Sequence, residues 1–466
     1  MRFGENFGVF RRPVLRTLRA ALLASVFCAP VASADSLTDA FVKAYQSNPQ
    51  LLAERANLRA TDEGVSQAIA QWRPTITLSG DASYVRSDLK TDPSLAHLKL
   101  KSRPWGADVT LSQNVFTSGR ILFQRKQADA QVRAGRAQLH STEQQIFINT
   151  VSAYENVVRD TSVVGLNNKN VTLLKKQLEA AQARFDVGEI TRTDVAQAQA
   201  ALASGQSQLI AAEASLKASR LAYERVVGEA PGTLDAKIEM PAGPESEEDA
   251  RKMAEDLNPV LVGAREAEEG SRYAIDFAVA QMLPTVSVQA SYGRNGEEVA
   301  PESIGNQSSI RGVLTVPIYQ GGAEWSRVRE AKELNNRARL DAEDARRSVD
   351  QGASNAWESF RAAKASTVAN EQQVKAQEIA FEGVQQELEV GSRTTLDVLN
   401  QQQFLLNAQV ALVTSQRDQA VAAYALLSAV GKLTAKELQL PVQLYDPVEN
   451  YEMQTWRPLG AATYGK

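Results

Sequence analysis

From Thr75 onward the chain alternates polar and apolar residues with a period of two. Ile76, Leu78, Gly80, Ala82 and Tyr84 fall on one face of a strand, and Thr75, Thr77, Ser79, Asp81 and Ser83 on the other. The returning run sets Trp105, Ala107, Val109, Leu111 and Val115 against Asp108, Thr110, Ser112 and Asn114. A second alternation comes much later, with Val286, Val288, Ala290 and Tyr292 opposite Thr285, Ser287, Gln289 and Ser291. Its return places Ile310, Leu314 and Val316 against Arg311 and Thr315. Two β-hairpins are therefore predicted, at 74–116 and 284–319, with polar loops over 85–103 and 293–308. Such loops are long for soluble hairpins and favour the exterior loops of a membrane sheet.

The remainder reads as helix. No proline lies between Pro104 and Pro231, or between Pro317 and Pro441. A first helix in each half ends at Trp72-Arg73-Pro74 or Met282-Leu283-Pro284, because the residue before proline is pushed out of the helical region. Gly119 and Gly321-Gly322 close the strands and open helices rich in Ala, Gln, Leu and Glu, which run to Asp186 and Glu389. At ~1.5 Å per residue such a helix extends ~100 Å, more than a compact domain holds. Val187-Gly188 and Val390-Gly391 break these helices, Thr193 and Thr394 are candidate caps for the returning ones, and Gly228 and Gly431 end them.

The order of elements is written twice. Asn48-Pro49 recurs as Asn258-Pro259 and Pro74-Thr75 as Pro284-Thr285, both at an offset of 210. From Val115-Phe116 and Ile318-Tyr319 onward the offset is 203, through Val187-Gly188 and Val390-Gly391, Asp194 and Asp397, and Gly228 and Gly431. The reading is a first repeat at 35–230, a linker at 231–248, a second repeat at 249–434 and a C-terminal segment at 435–466.

Residues 1–34 read as a secretory signal: Arg2, Arg11, Arg12, Arg16 and Arg19 precede an apolar stretch, and Val31-Ala32-Ser33-Ala34 ends in a small-x-small pattern. Phe27 stands before Cys28, where a lipidation motif wants a small residue. Removing five arginines and Glu5 takes the formal charge from −4 to −8 and leaves a mature chain without cysteine. No later segment has the apolar length of a spanning helix. With 51 Lys+Arg against 55 Asp+Glu there is no basic excess for nucleic acid. Two histidines, His97 and His140, and one cysteine leave no material for a Cys/His metal site or Cys–His catalysis. No cofactor, metal site or enzymatic activity is expected.

Four strands cannot close on themselves, since membrane barrels begin at ~8, and open edges cannot face lipid. Several chains must pool their strands, two giving eight and three giving twelve. The Asn-Pro starts, the Pro-Thr hairpin entries, Ile318-Tyr319-Gln320-Gly321-Gly322, and Val390-Gly391-Ser392-Arg393-Thr394 followed by Asp397-Val398-Leu399 resemble the TolC family of outer-membrane efflux and secretion factors. The resemblance implies a mainly α fold with a small β part: a homotrimer with an α-helical barrel topped by a 12-stranded transmembrane β-barrel. It implies an outer-membrane exit duct, extending into the periplasm and set in outer-membrane lipid. Its partners would be a periplasmic adaptor (membrane fusion) protein and an inner-membrane transporter, a proton-driven RND exporter or an ABC transporter of type I secretion. The competing reading is a soluble periplasmic coiled-coil adaptor.

The resemblance places a periplasmic constriction on Asp397 and Arg393, with Thr193 and Asp194 on the facing hairpin. Arg393 is expected to bond to Asp194 or to backbone oxygens near Thr193. Asn400 stands where many relatives have a second aspartate, and Leu388 where a tyrosine helps latch the closed state. Asp397 also reads as an ordinary acid in a helix first turn, close to Thr394. On the sheet, Asp81, Asp108 and Gln113 are expected to face a cation-favouring lumen.

Overall fold

The computed structural model describes residues 35–89, 98–236, 240–297, 302–455, 457 and 460–461. The proposed signal segment at 1–34 and His97 lie outside the described residues. In chain order the elements are α1 (Leu37–Ser47), α2 (Pro49–Ala70), β1 (Thr75–Ala82), β2 (Val85–Leu89), β3 (Leu98–Ser102) and β4 (Trp105–Phe116). The hairpin α3 (Arg120–Asp186) and α4 (Arg192–Val227) follows, then α5 (Glu247–Leu257), α6 (Pro259–Ala280), β5 (Thr285–Gly296) and β6 (Ile304–Thr315). The chain ends with α7 (Ala323–Glu389), α8 (Thr395–Ala429) and the short α9 (Glu449–Thr455).

Where the sequence reading gave one helix ahead of each sheet hairpin, the structure has two. Proline forces the preceding asparagine out of the helical region, and Asn48 and Asn258 take ψ of 121° and 123°. Each asparagine then serves two helices. Asn48 Oδ1 accepts from Gln50 N (2.9 Å) and its Nδ2 donates to the Val226 carbonyl at the end of α4 (2.9 Å). Asn258 repeats this with Val260 N (2.9 Å) and the Ala429 carbonyl at the end of α8 (2.8 Å). Pro49 and Pro259 occupy the first helical position, where the missing N–H costs nothing.

The core sits at this level. Phe41, Tyr45, Phe147, Tyr154, Tyr223 and Tyr424 gather between α1, α3, α4 and α8, with the Phe41 and Phe147 ring centroids 4.9 Å apart. Tyr154 is fully buried and its hydroxyl donates toward the carbonyls of Asp35 (2.8 Å) and Asp235 (3.0 Å). The chain after α4 thereby lies beside the residues ahead of α1, paired by a short parallel bridge between Asp35 and Leu234. On the other side the C-terminal segment is strapped along α2 and α3: Asn450 donates to buried Asp62 (2.7 Å) and Tyr451 to Asp129 (2.8 Å).

The sheet has the order β1-β4-β5-β6, all antiparallel. Its register gathers the alternating residues in rows. Ile76, Leu111, Ala290 and Ile310 form one row, and Leu78, Val109, Tyr292 and Ser308 the next. The opposite face carries Ser79, Asp108, Gly293 and Gln307. Gln113 does not belong with Asp108: it pairs with Val288 and shares the parity of Leu111. Its amide is held at the base of the strand by the Trp72 carbonyl (2.7 Å). The predicted polar loops are also shorter than expected. β2 and β3 continue the first hairpin beyond the sheet as a separate pair, and β5 and β6 run on to Gly296 and from Ile304.

Gly431 ends α8 at φ +83°, and a Cβ there would collide with the Leu257 carbonyl. Gly188 has a similar φ of +81° but open space around it. Gly188→Ala should therefore cost ~1–2 kcal/mol of backbone strain alone, and Gly431→Ala clearly more. Paired thermal melts check this, with a larger drop in Tm expected for Gly431→Ala.

Candidate functional site

The two helical hairpins end in tips of the same construction. In α3 the chain reverses through Val187 and Gly188, with Gly188 N donating to the Phe185 carbonyl and Glu189 N to the Arg184 carbonyl (both 2.9 Å). In α7, Gly391 N donates to the Leu388 carbonyl (3.0 Å) and Ser392 N to that of Glu387 (2.9 Å), with Gly391 also left-handed. These bonds satisfy the last carbonyls of each long helix. One ion pair braces each tip, with the charges exchanged: Arg184 with Glu189 (3.1 Å), and Arg393 with Glu387 (2.8 Å).

The returning helices open on capping boxes. Thr394 Oγ1 accepts from Asp397 N (3.2 Å), while Asp397 Oδ2 accepts from Thr394 N (2.9 Å) and from its hydroxyl (2.8 Å). The equivalent cap on α4 is Thr191, not Thr193: Asp194 Oδ2 accepts from Thr191 N (2.9 Å) and Oγ1 (2.8 Å). Thr193 is exposed in the first turn. The offset of 203 that aligns Asp194 with Asp397 also aligns Thr191 with Thr394, and Thr-x-x-Asp is the capping spacing, so the sequence held the signal.

Within one protomer the candidate gate residues separate into two tips. Arg393 reaches Glu387 in its own hairpin rather than Asp194, because a six-residue span across the Gly391 turn brings those two side chains together. Asn400 is exposed and Leu388 half-buried. Backbone and hydroxyl hydrogen bonds from Thr394, with the Arg393 charge, hold Asp397 below the usual carboxylate range. Asp194 is lowered by the same pair of bonds from Thr191. Both carboxylates are therefore charged throughout ordinary pH.

Polar contacts missed by periodicity join the hairpins to each other. Gln402 on α8 donates to Asn170 on α3, both buried, and Arg417 donates to Asn156 (3.0 Å). Beside Asn156, Glu155 is buried, and desolvation pushes it up to about 7 against the pull of Arg417. His140, the one of the two histidines that lies among the described residues, is exposed on α3 and stands 3.7 Å from Glu143. The described residues contain no cluster that could hold a metal ion.

At the other end of the molecule Asp108 lies on the polar face of the sheet and accepts from Ser79 (3.0 Å) and Thr110 (3.3 Å). The reverse face leaves Leu78 78% and Ile310 84% exposed in the single chain. A sheet with one polar face, one apolar face and two unpaired edges, attached to helices of 67 residues, defines the outer-membrane channel class of fold.

Comparison with known proteins gives the same class. The chain belongs to the outer membrane efflux protein family, whose profile matches residues 41–229 and 250–432. It is 35% identical to the outer membrane efflux protein BepC of Brucella suis over 440 residues, covering 93% of this chain and 94% of that one. It is 27% identical to the outer membrane protein TolC of Vibrio cholerae, covering 87% of this chain and 92% of the relative. Among solved structures it resembles the Campylobacter jejuni CmeC outer membrane channel, with TM-score 0.76 and 16% identity, over 90% of this chain and 89% of that one. The protein is an outer-membrane efflux protein, and the soluble-adaptor reading finds no support.

Glu155 yields a pH test. Its folded value lies above the unfolded 4.5, so the stability held by its protonated form is complete below about 4.5 and lost as pH rises through 7. Glu155→Gln should leave urea resistance unchanged at pH 4 and raise it at pH 8, by up to ~3 kcal/mol. An equal shift at both pH values would contradict this.

Proposed function

We propose that three copies of the chain pool their sheets, β6 of each beside β1 of the next, into a 12-stranded barrel through the outer membrane. The observation that carries this is the four-stranded sheet itself, apolar on one face and unpaired along β1 and β6. Unpaired amides at a lipid-facing edge cost several kcal/mol each, and closure with further copies removes them. On this reading the helical hairpins pack side by side as a tunnel into the periplasm, around an equator formed by the linker and C-terminal segment. The duct is passive and has no catalytic activity. It takes drugs, toxic compounds or exported proteins from a periplasmic adaptor and an inner-membrane pump of the RND or ABC type. The native mass in detergent should equal three mature chains; one or two would overturn the copy number.

The tips are the proposed periplasmic gate. Threefold symmetry would bring three Asp397 carboxylates together at the narrow end, attracting cations. Arg393 fixes the α7–α8 tip through Glu387, and Asp194 with Thr193 lies on the facing hairpin. Asn400 and Leu388 leave the ring single and one polar link short. Asp397 is also a capping residue, so its charge and its cap must be tested apart. Asp397→Asn retains an acceptor for the cap and removes the charge. In planar bilayers it should reduce cation selectivity, whereas the parent should stay cation-selective from pH 7 to 5. Arg393→Ser should raise open probability by freeing the tip. Parent-like recordings from both variants would place the gate elsewhere.

A further inference from the structure

Arg294 stands on the apolar face of the sheet. The register sets it in a row with Gly80, Ala107 and Asn306, directly above the row of Leu78, Val109, Tyr292 and Ser308. The next row outward is Ala82, Trp105, Gly296 and Ile304. From Val286 to Tyr292 the apolar rows climb ~20 Å along the strand, or ~15 Å of membrane height at a tilt of ~40°. Arg294 therefore lies toward the outer edge of an apolar band ~25 Å tall.

An arginine facing lipid is costly at depth and tolerable at the interface when an anion meets it. This sheet supplies none. The strand carboxylates Asp81 and Asp108 belong to the opposite face, and Glu297 accepts from Arg103 N (2.9 Å). Among the described residues no carboxylate pairs with Arg294, which is exposed. Its flanking residues on β4 and β1 are small, leaving room over Ala107 and Gly80. The Trp105 indole lies across Gly296, and its Nε1 is the atom nearest to where a Cβ on Gly296 would stand. The Trp105 indole thus lies in the row next to Arg294 on the same face, and Asn306 is the residue paired with Arg294 on β6.

We propose that Arg294, with Trp105 and Asn306, docks the phosphate of a lipid in the outer leaflet of the outer membrane. The guanidinium presents a planar fork that fits phosphate oxygens, the flanking small residues admit the headgroup, and the apolar rows beneath receive the acyl chains. The site rests on the reading of the apolar face as the outside of a membrane barrel. Its occupant is a lipid rather than a free anion because Leu78, Val109 and Tyr292, and below them Ile76, Leu111 and Ile310, fill the two rows beneath it on the same face.

The test uses the purified full-length protein in detergent and native mass spectrometry with three probes: lipid A, dephosphorylated lipid A and inorganic phosphate. The parent should retain lipid A about tenfold more than the dephosphorylated form, and Arg294→Gln should remove that preference. Equal retention of the two lipids by the parent, or an unchanged preference in Arg294→Gln, overturns the proposal. So does displacement of lipid A by an equal concentration of inorganic phosphate. The lipid comparison needs no variant, so a poorly folding Arg294→Gln leaves it decisive. Failure of the barrel reading is distinguishable, since the parent would then form neither a trimer nor a conducting pore.

Discussion

The molecule depends on two asparagines that each serve two helices. Asn48 and Asn258 stand where a short helix ends, a longer one begins and a returning helix from the far hairpin arrives. Each side chain supplies an acceptor to the helix it opens and a donor to the helix it meets. Without that second bond, carbonyls in the last turns of α4 and α8 would lose their side-chain donor in a part-buried position, and unmet carbonyls there are costly. The glycines beside these ends, Gly228 and Gly431, let the backbones approach, with Ser47 and Leu257 packed where a side chain would be. One level of the structure therefore fixes the start of both hairpin entries and the end of both helical hairpins. Helices of 67 residues can be aimed from it because their far ends are tied back to it.

The two ends reached from that level obey different physics. The tips are exposed and polar, and each is stabilised by contacts within about ten residues of the turn. The aromatic core around Phe147 and Tyr154 includes no residue of either tip. The sheet end is governed by burial that one chain cannot complete. Its polar face is cross-linked by short hydroxyl and carboxylate contacts, and its apolar face is left open. Between the two ends, the contacts of Asn170 with Gln402 and Asn156 with Arg417 hold the hairpins in one register. These buried amides specify alignment where alanine-rich surfaces would allow sliding.

Most of the fold was legible because its signals are local and repeated. Period-two alternation gave the strands and their faces, and positive-φ glycines gave the turns, to within a residue or two. The errors came where local rules competed. Asn-Pro stands out in the sequence as a marker of repetition, yet the restriction proline places on its predecessor also splits the helix there. Thr193 reads as a candidate cap by its place ahead of the apolar run, whereas the Thr-x-x-Asp spacing to Asp194 belongs to Thr191. Gln113 was grouped by polarity against its own parity. The partner of Arg393 was not legible, since Glu387 lies on the other side of a turn whose geometry only the folded tip reveals. Nor were the polar contacts between hairpins, which join residues from distant parts of the chain with no periodic trace.

The ladder between β4 and β5 pairs Trp105 with Gly296 and Leu111 with Ala290, so the sheet is stitched together across the two halves of the chain. Each half alone contributes only one strand pair to this sheet, and isolated hairpins are marginal in water. As the polypeptide emerges, the long helices can wind at once from neighbouring residues, while β1 and β4 must wait for more than a hundred further residues before β5 exists to join them. During that interval an apolar, unpaired strand pair is open to the wrong partners. Topology thus orders synthesis: the β1–β4 pair and the α3–α4 hairpin come first, and the sheet that joins the two halves forms only when β5 and β6 follow, ahead of α7 and α8.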